Sequence, residues 1–172
     1  MTPMLKVDLG RIDREGFVVV DERVPADAPL WEGSGIEWSE PVDVHLRVSS
    51  AGSGEIVGRG RVKGRLHQEC RRCLKPVDSD LEAELTLVFV GDESEADSDE
   101  AGMYPYNPGA RELDLSDAVR EEVVLAMNPY VVCDPECPGL CPKCGASLKE
   151  GACGCSEAET DPRWDALREL KG

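Results

Sequence analysis

The sequence predicts an α+β fold: an antiparallel, β-rich N-terminal part with one packed helix, then a cysteine-rich tail of metal-knuckle type that ends in a short helix. Three observations predict it. Leu81, Ala83, Leu85, Leu87 and Phe89 alternate with more polar neighbours, the period-2 signature of a half-buried strand. Leu115, Val119, Val123 and Ala126 recur at helical spacing and make one apolar face. Eight cysteines fall in short clusters within 172 residues.

The strands come first. Val18 to Val20, Val42 to Val48 and Leu81 to Val90 are β-rich runs, and Gly10, Gly16, Gly33, Gly35, Gly52 and Gly54 break them as turns do. A helix is expected over 114–127. Asp114 or Ser116 can cap it, Asp117 puts a carboxylate in its first turn, and Pro129 ends it. The first part therefore spans 1–128. The tail, 129–172, is expected to pack on the first part, because its residues 130–155 are too poor in hydrophobes to fold alone. Asp161 and Pro162 open its terminal helix, with Trp164, Leu167 and Leu170 on one face. Residues 91–100 hold six carboxylates and no base, the composition of a solvated loop.

Composition narrows the function classes. Aromatics make up only 5% of the chain, so the core must be built from Val, Leu, Ile and Ala. The net charge of −16 works against non-specific nucleic-acid binding. No run approaches the roughly 20 apolar residues of a membrane span. The start, MTPMLKVDLG, lacks the charged and apolar regions of a secretory signal, so a cytoplasmic, reducing location is expected. In that setting thiols stay free or bind metal.

Cys70 and Cys73 form CRRC; Cys133, Cys137, Cys141 and Cys144 lie in CDPECPGLCPKC; Cys153 and Cys155 form CGC. Two cysteines separated by two residues can aim both sulfurs at one cation, and Gly145, after Cys141 and Cys144, can take the positive φ of a tight knuckle. All eight are candidate ligands. Four thiolates per ion is the closed, structural pattern of zinc, so one or two Zn²⁺ ions are expected. The pairing is open. Cys70 and Cys73 can join Cys141 and Cys144; alternatively Cys133, Cys137, Cys141 and Cys144 group together and leave Cys70 and Cys73 with Cys153 and Cys155. A single site with spare thiols is a third possibility. Disulfides lack an export signal, and a redox CxxC lacks the strand-to-helix setting it needs, although Arg71 and Arg72 would favour a thiolate. His67, three residues before Cys70, is a substitute ligand at most; His45, Trp31, Trp38 and Trp164 read as surface or packing residues.

The charge is uneven. Residues 59–75 hold seven Lys or Arg and one Glu, a local net of +6 that leaves −22 for the remainder. Arg59, Arg61, Lys63, Arg65 and His67 are all odd-numbered, so a strand would place them on one face, with Arg71, Arg72 and Lys75 continuing the strip beside the ligands. Arg59, Arg61, Lys63, Arg65, Arg71, Arg72 and Lys75 are therefore candidate phosphate-backbone contacts. The competing reading is a solvated face that partners the carboxylates. No nucleophile–base set and no phosphate loop of the Walker or Rossmann kind stands out, which argues against an enzyme.

The ordered segments CRRCLKPV, DLSDAVREEVVLAMNP, CDPECPGLCPKCGASL and DPRWDALREL resemble the large ribosomal RNA subunit accumulation protein family, also called YceD-like. The likeness runs from about Gly58 to Leu170, and CPGLCPKCG is its most specific element. The resemblance implies a bacterial or plastid protein with a non-catalytic role in large-subunit biogenesis, supporting accumulation of large-subunit (23S) rRNA. It carries Cys70 and Cys73 over as the family's CxxC pair, while Cys133, Cys137, Cys141 and Cys144 match longer-tailed members. The partners it implies are the large-subunit precursor, its rRNA or a basic ribosomal protein. Two other readings stand beside it: an acidic module that chaperones a basic ribosomal protein, and a thiol redox switch in which oxidation expels zinc.

Overall fold

A computed structural model describes residues 5–52, 54–91 and 102–155. Most of the expected acidic loop and the whole expected terminal helix, with Trp164, Leu167 and Leu170, lie outside the described residues.

The main sheet has five strands in the order β2-β3-β4-β5-β6. They are β2 (Phe17–Val24), β3 (Val42–Ser50), β4 (Ile56–Glu69), β5 (Pro76–Val90) and β6 (Met103–Pro105). The first four form an antiparallel meander, as expected, but β6 runs parallel to β5. Two further short strands, β1 (Lys6–Asp8) and β7 (Glu112–Asp114), pair antiparallel to each other. The class is thus α+β with a mostly antiparallel sheet.

Alternation decides the faces. Val42, Val44, Leu46 and Val48 of β3 point inward with Leu81, Ala83, Leu85, Leu87 and Phe89 of β5, all buried. On β4 the inward positions are Ile56, Gly58, Gly60, Val62, Gly64 and Leu66. Three of these are glycines, and at two of them, Gly60 and Gly64, neighbours come too close for a side chain. A Cβ at Gly64 would lie 2.5 Å from the Trp38 ring, and one at Gly60 would lie 1.9 Å from the His45 carbonyl oxygen. Trp38 closes over β4, paired with Leu66 and packed 5.1 Å from Trp31.

Two helices cover the inner face. Helix α2 (Ser116–Ala126) matches the expected one within two residues and buries Ala118, Val119 and Val123 against β5. Asp114 accepts from the Ser116 N–H at 2.9 Å just before it. Helix α1 (Leu9–Glu15) was not expected. Asp8 caps it by accepting from the Arg11 N–H at 2.8 Å, and Gly16 ends it in the left-handed region, so Gly10 lies within a helix and not in a turn. No helix among the described residues is long and apolar enough to cross a membrane.

Candidate metal centres and the basic sheet face

The β4–β5 turn carries Cys70 and Cys73. Its Leu74 N–H donates to the Cys70 carbonyl at 2.8 Å, with Leu74 at φ 58°. The same closure recurs in the tail, where the Gly145 N–H donates to the Cys141 carbonyl at 2.9 Å with Gly145 at φ 73°. Each is a two-cysteine knuckle whose free backbone N–H groups point at the first sulfur. In the second, the Lys143 N–H reaches the Cys141 Sγ at 3.4 Å.

The eight thiols stand free and gather into two groups of four: Cys70, Cys73, Cys133 and Cys137, and Cys141, Cys144, Cys153 and Cys155. Within each group every sulfur lies within 4.8 Å of the others. Four sulfurs at about 2.3 Å around a tetrahedral cation lie about 3.8 Å apart. The Cys70–Cys137 and Cys73–Cys133 distances are 3.9 and 3.6 Å. The groups therefore have the composition and size of closed four-cysteine sites.

This grouping differs from both pairings weighed from the sequence. The reason is the path of the chain after α2. The Gln68 side chain donates to the Asn128 carbonyl and the Arg71 N–H to the Val131 carbonyl, which lays residues 128–133 along the turn. Cys133 and Cys137 are then the first thiols to reach Cys70 and Cys73. Arg72 donates to the Pro135 and Cys137 carbonyls, both at 3.0 Å. Gly139 passes so near the turn that a Cβ would lie 2.9 Å from the Arg72 carbonyl oxygen. The tail then folds back, with Leu140 bridged to Ser147, and forms the second group locally.

The first group is buried apart from Cys133; in the second only Cys141 is buried, while Cys144 and Cys155 are exposed. The backbone N–H of Cys133, outweighing burial, lowers Cys70 from 9.0 to about 6, helped by the Cys73 and Arg72 N–H groups. The Lys75 N–H favours the Cys73 thiolate, but burial and the neighbouring thiols push Cys73 up to about 11. The second group repeats the split. The Cys144 and Lys143 N–H groups lower Cys141 to about 6, while the Cys144 and Cys153 side chains push Cys155 up to about 12. Each group thus holds one thiol that backbone N–H groups draw toward the thiolate and one that its surroundings hold protonated against the binding of a cation. The Lys149 ammonium lies 2.9 Å from the Cys133 Sγ, and that contact raises its own pKa. Sequence reading missed Lys149, since nothing in its spacing from Cys133 marks it. His67 is no member of either group; it pairs with Asp78 on the sheet's outer face.

The odd-numbered residues of β4 do share that outer, exposed face. The register sets their neighbours. Lys63 lies opposite Glu82 and pairs with it at 2.7 Å; Arg65 lies opposite Asp80 at 3.5 Å. Lys63 lowers the Glu82 pKa by that contact. Beyond the strand, Arg71 stacks on Tyr130 at 4.1 Å and Lys75 pairs with Glu150 at 3.1 Å. Arg59 faces Thr86 on β5 and Arg47 on β3. Arg61 faces Glu84 and His45 without an ion pair among the described residues. Arg47 was missed from the sequence. The Gly52 and Gly54 turn signals were the available clue, because the hairpin they close sets Arg47 against Arg59.

Comparison with known proteins gives the following. The family model described as large ribosomal RNA subunit accumulation protein YceD matches residues 58–171. Uncharacterized proteins of Mycobacterium tuberculosis and Mycobacterium bovis are 31% identical over 175 residues, covering 98% of this chain and 82% of theirs. An Arabidopsis thaliana protein, named large ribosomal RNA subunit accumulation protein YCED homolog 1, chloroplastic, is 35% identical over 66 residues, 38% of this chain and 21% of its own. No solved structure matches.

Proposed function

The chain belongs to the large ribosomal RNA subunit accumulation protein YceD family, and from that premise we propose that it is a non-catalytic factor in large-subunit biogenesis, supporting accumulation of 23S rRNA and held in shape by two structural zinc ions. The observation that carries the reading is the pair of four-thiol groups. A catalytic zinc keeps a coordination position open for water or substrate, whereas four cysteines close the shell. The Cys70–Cys73–Cys133–Cys137 group also spans a distance in sequence, joining the β4–β5 turn to the tail.

The basic segment supplies the contact with rRNA. Lys63, Arg65 and Lys75 are engaged by carboxylates and Arg72 by tail carbonyls, so these serve the fold first. Arg59 and Arg61 carry the outward positive charge of the strand. Elemental analysis tests the metal. Two zinc ions per chain are expected, and one in the Cys70→Ser/Cys73→Ser variant. Sucrose-gradient sedimentation tests the role: the chain should travel with large-subunit precursors, and its depletion should lower 23S rRNA relative to 16S. Unchanged rRNA levels and no sedimentation with precursors would sink the reading.

A further inference from the structure

The outer face of the sheet can be read as rows across β2, β3, β4 and β5. The row at Lys63 is Arg23–Asp43–Lys63–Glu82, alternating in sign, with Arg23–Asp43 and Lys63–Glu82 both within ion-pair distance. The row at Arg61 is Asp21–His45–Arg61–Glu84, in which two carboxylates flank the arginine and the histidine. The next row, Val19–Arg47–Arg59–Thr86, breaks the pattern. Two arginines stand directly opposite each other on neighbouring strands and the row holds no acid. Like charges in directly opposed positions repel and destabilise a sheet. In a chain with 35 acidic residues and a carboxylate ladder two residues away, that placement leaves a charge demand unmet.

The surroundings suit a phosphate. Arg47 is already ordered: its guanidinium lies 3.8 Å from the centroid of the exposed Phe17 ring. A depression of about 330 Å³ on one side is lined by Arg47, Ser49, Val57 and Arg59. A second, of about 520 Å³, lies on the other side, where Arg47, Arg59 and Arg61 line it together with one carboxylate, Glu84. The pair thus forms a cationic ridge between two shallow grooves. Guanidinium forks match phosphate oxygens, and screening confines the repulsion of distant carboxylates to about 10 Å at 0.1 M salt.

We propose that the Arg47–Arg59 pair is a phosphodiester-backbone site for single-stranded RNA, with Phe17 beside it as a surface for a neighbouring base. The proposal rests on the ribosomal reading and relocates its contact. Arg47, outside the basic segment, is a principal residue, whereas Lys63 and Arg65 are spectators. A phosphate bound between the two arginines removes the repulsion that the free chain carries. An aromatic flank adds sequence-tolerant stacking.

The test uses the full chain with its metal and a fluorescein-labelled oligouridylate of about 12 nucleotides, long enough for one such site. Anisotropy at rising salt is measured for wild type, Arg47→Gln/Arg59→Gln and Lys63→Gln/Arg65→Gln. The first variant is expected to bind about tenfold or more weakly, with a slope of log K against log salt reduced by about 0.7, for the one phosphate the pair neutralises. Its melting temperature stays at or above wild type, because a repulsion has been removed. The second variant is expected within about twofold of wild type. Unaltered binding by Arg47→Gln/Arg59→Gln overturns the site. Wild type that sediments with precursors yet binds no oligonucleotide also overturns it, and leaves the ribosomal reading standing. An oligoglutamate peptide that binds as tightly as the RNA, and is lost in the same variant, replaces RNA with an acidic protein partner. If wild type neither sediments with precursors nor binds RNA, both readings fail.

Discussion

Leu74 and Gly145 occupy the same place in two knuckles with the same hydrogen bond, yet only one is glycine. At φ 58° Leu74 brings a Cβ into the left-handed region, where a non-glycine residue loses about 1 kcal/mol or more. Glycine there removes the strain but gives up about 0.5–1 kcal/mol in chain entropy. Leu74→Gly should therefore be neutral to about 1 kcal/mol stabilising in urea unfolding of the zinc-loaded chain. Gly145→Leu should cost about 1–2 kcal/mol. A marked loss on Leu74→Gly would mean that the exposed Leu74 side chain has a partner. A second residue-scale prediction concerns Glu82. Lys63 holds its pKa below the ordinary 4.5, so the folded state favours the carboxylate. The stabilisation is present above the unfolded value and is lost as pH falls through the folded one. Carbon-13 NMR should show Glu82 titrating below the usual range and returning to it in Lys63→Gln. An unmoved Glu82 would free Lys63 for a partner. At this scale the cysteine types and knuckles were legible, because CxxC spacing is local. The grouping was not: it depends on two hydrogen bonds, from Gln68 at the end of β4 to residue 128 and from Arg71 in the turn to residue 131, which no spacing records.

Among the elements, β4 explains most. Its odd positions were readable as one face because side chains alternate strictly along a strand. What those arginines face was not readable, because the register of β5 decides it. Its glycines had no visible purpose in the sequence either. Gly60 sits where β3 and β4 approach so closely that a Cβ would overlap the His45 carbonyl, a backbone atom that no rotamer change can move aside. Gly64 meets the Trp38 ring, a side chain that can shift. Gly60→Ala should thus cost at least about 2 kcal/mol, and more than Gly64→Ala, in denaturant unfolding. The reverse order would place the tight approach at Trp38. Since Gly60 lies between Arg59 and Arg61, its substitution should also spread the Arg47–Arg59 pair. Helix α1 escaped notice for another reason. Seven residues give too few turns for a periodic pattern, and its identifiers were its ends, Asp8 and Gly16. Helix α2 was legible because eleven residues, an apolar face and a following proline agree.

For the molecule as a whole, two buried clusters matter. The main core lies between the inner sheet face and the helices and contains no cysteine. The second cluster is Cys70, Cys73 and Cys137, with Val77, Val132 and Leu140 against it. On the proposed zinc reading the tail owes its order chiefly to metal, and apparent zinc-binding energies of about 10–16 kcal/mol suffice for that. The sheet has its own core and does not need it. The two centres also differ in access. Cys70, Cys73 and Cys137 are at most 4% exposed, whereas Cys144 and Cys155 are open to solvent. A chelator in excess should accordingly release zinc in two phases of equal amplitude. The fast one should come from the Cys141–Cys144–Cys153–Cys155 centre and the slow one from the centre at the β4–β5 turn. Cys144→Ser should abolish only the fast phase. The strand signal in far-ultraviolet circular dichroism should survive both phases, while limited proteolysis of the metal-free chain should cut after about residue 130, where the segment held by the proposed zinc begins. A single release phase would show that the centres are not independent. Collapse of the strand signal with the first equivalent would mean that the outer centre reaches the sheet, and that zinc supports the whole fold and not only the tail.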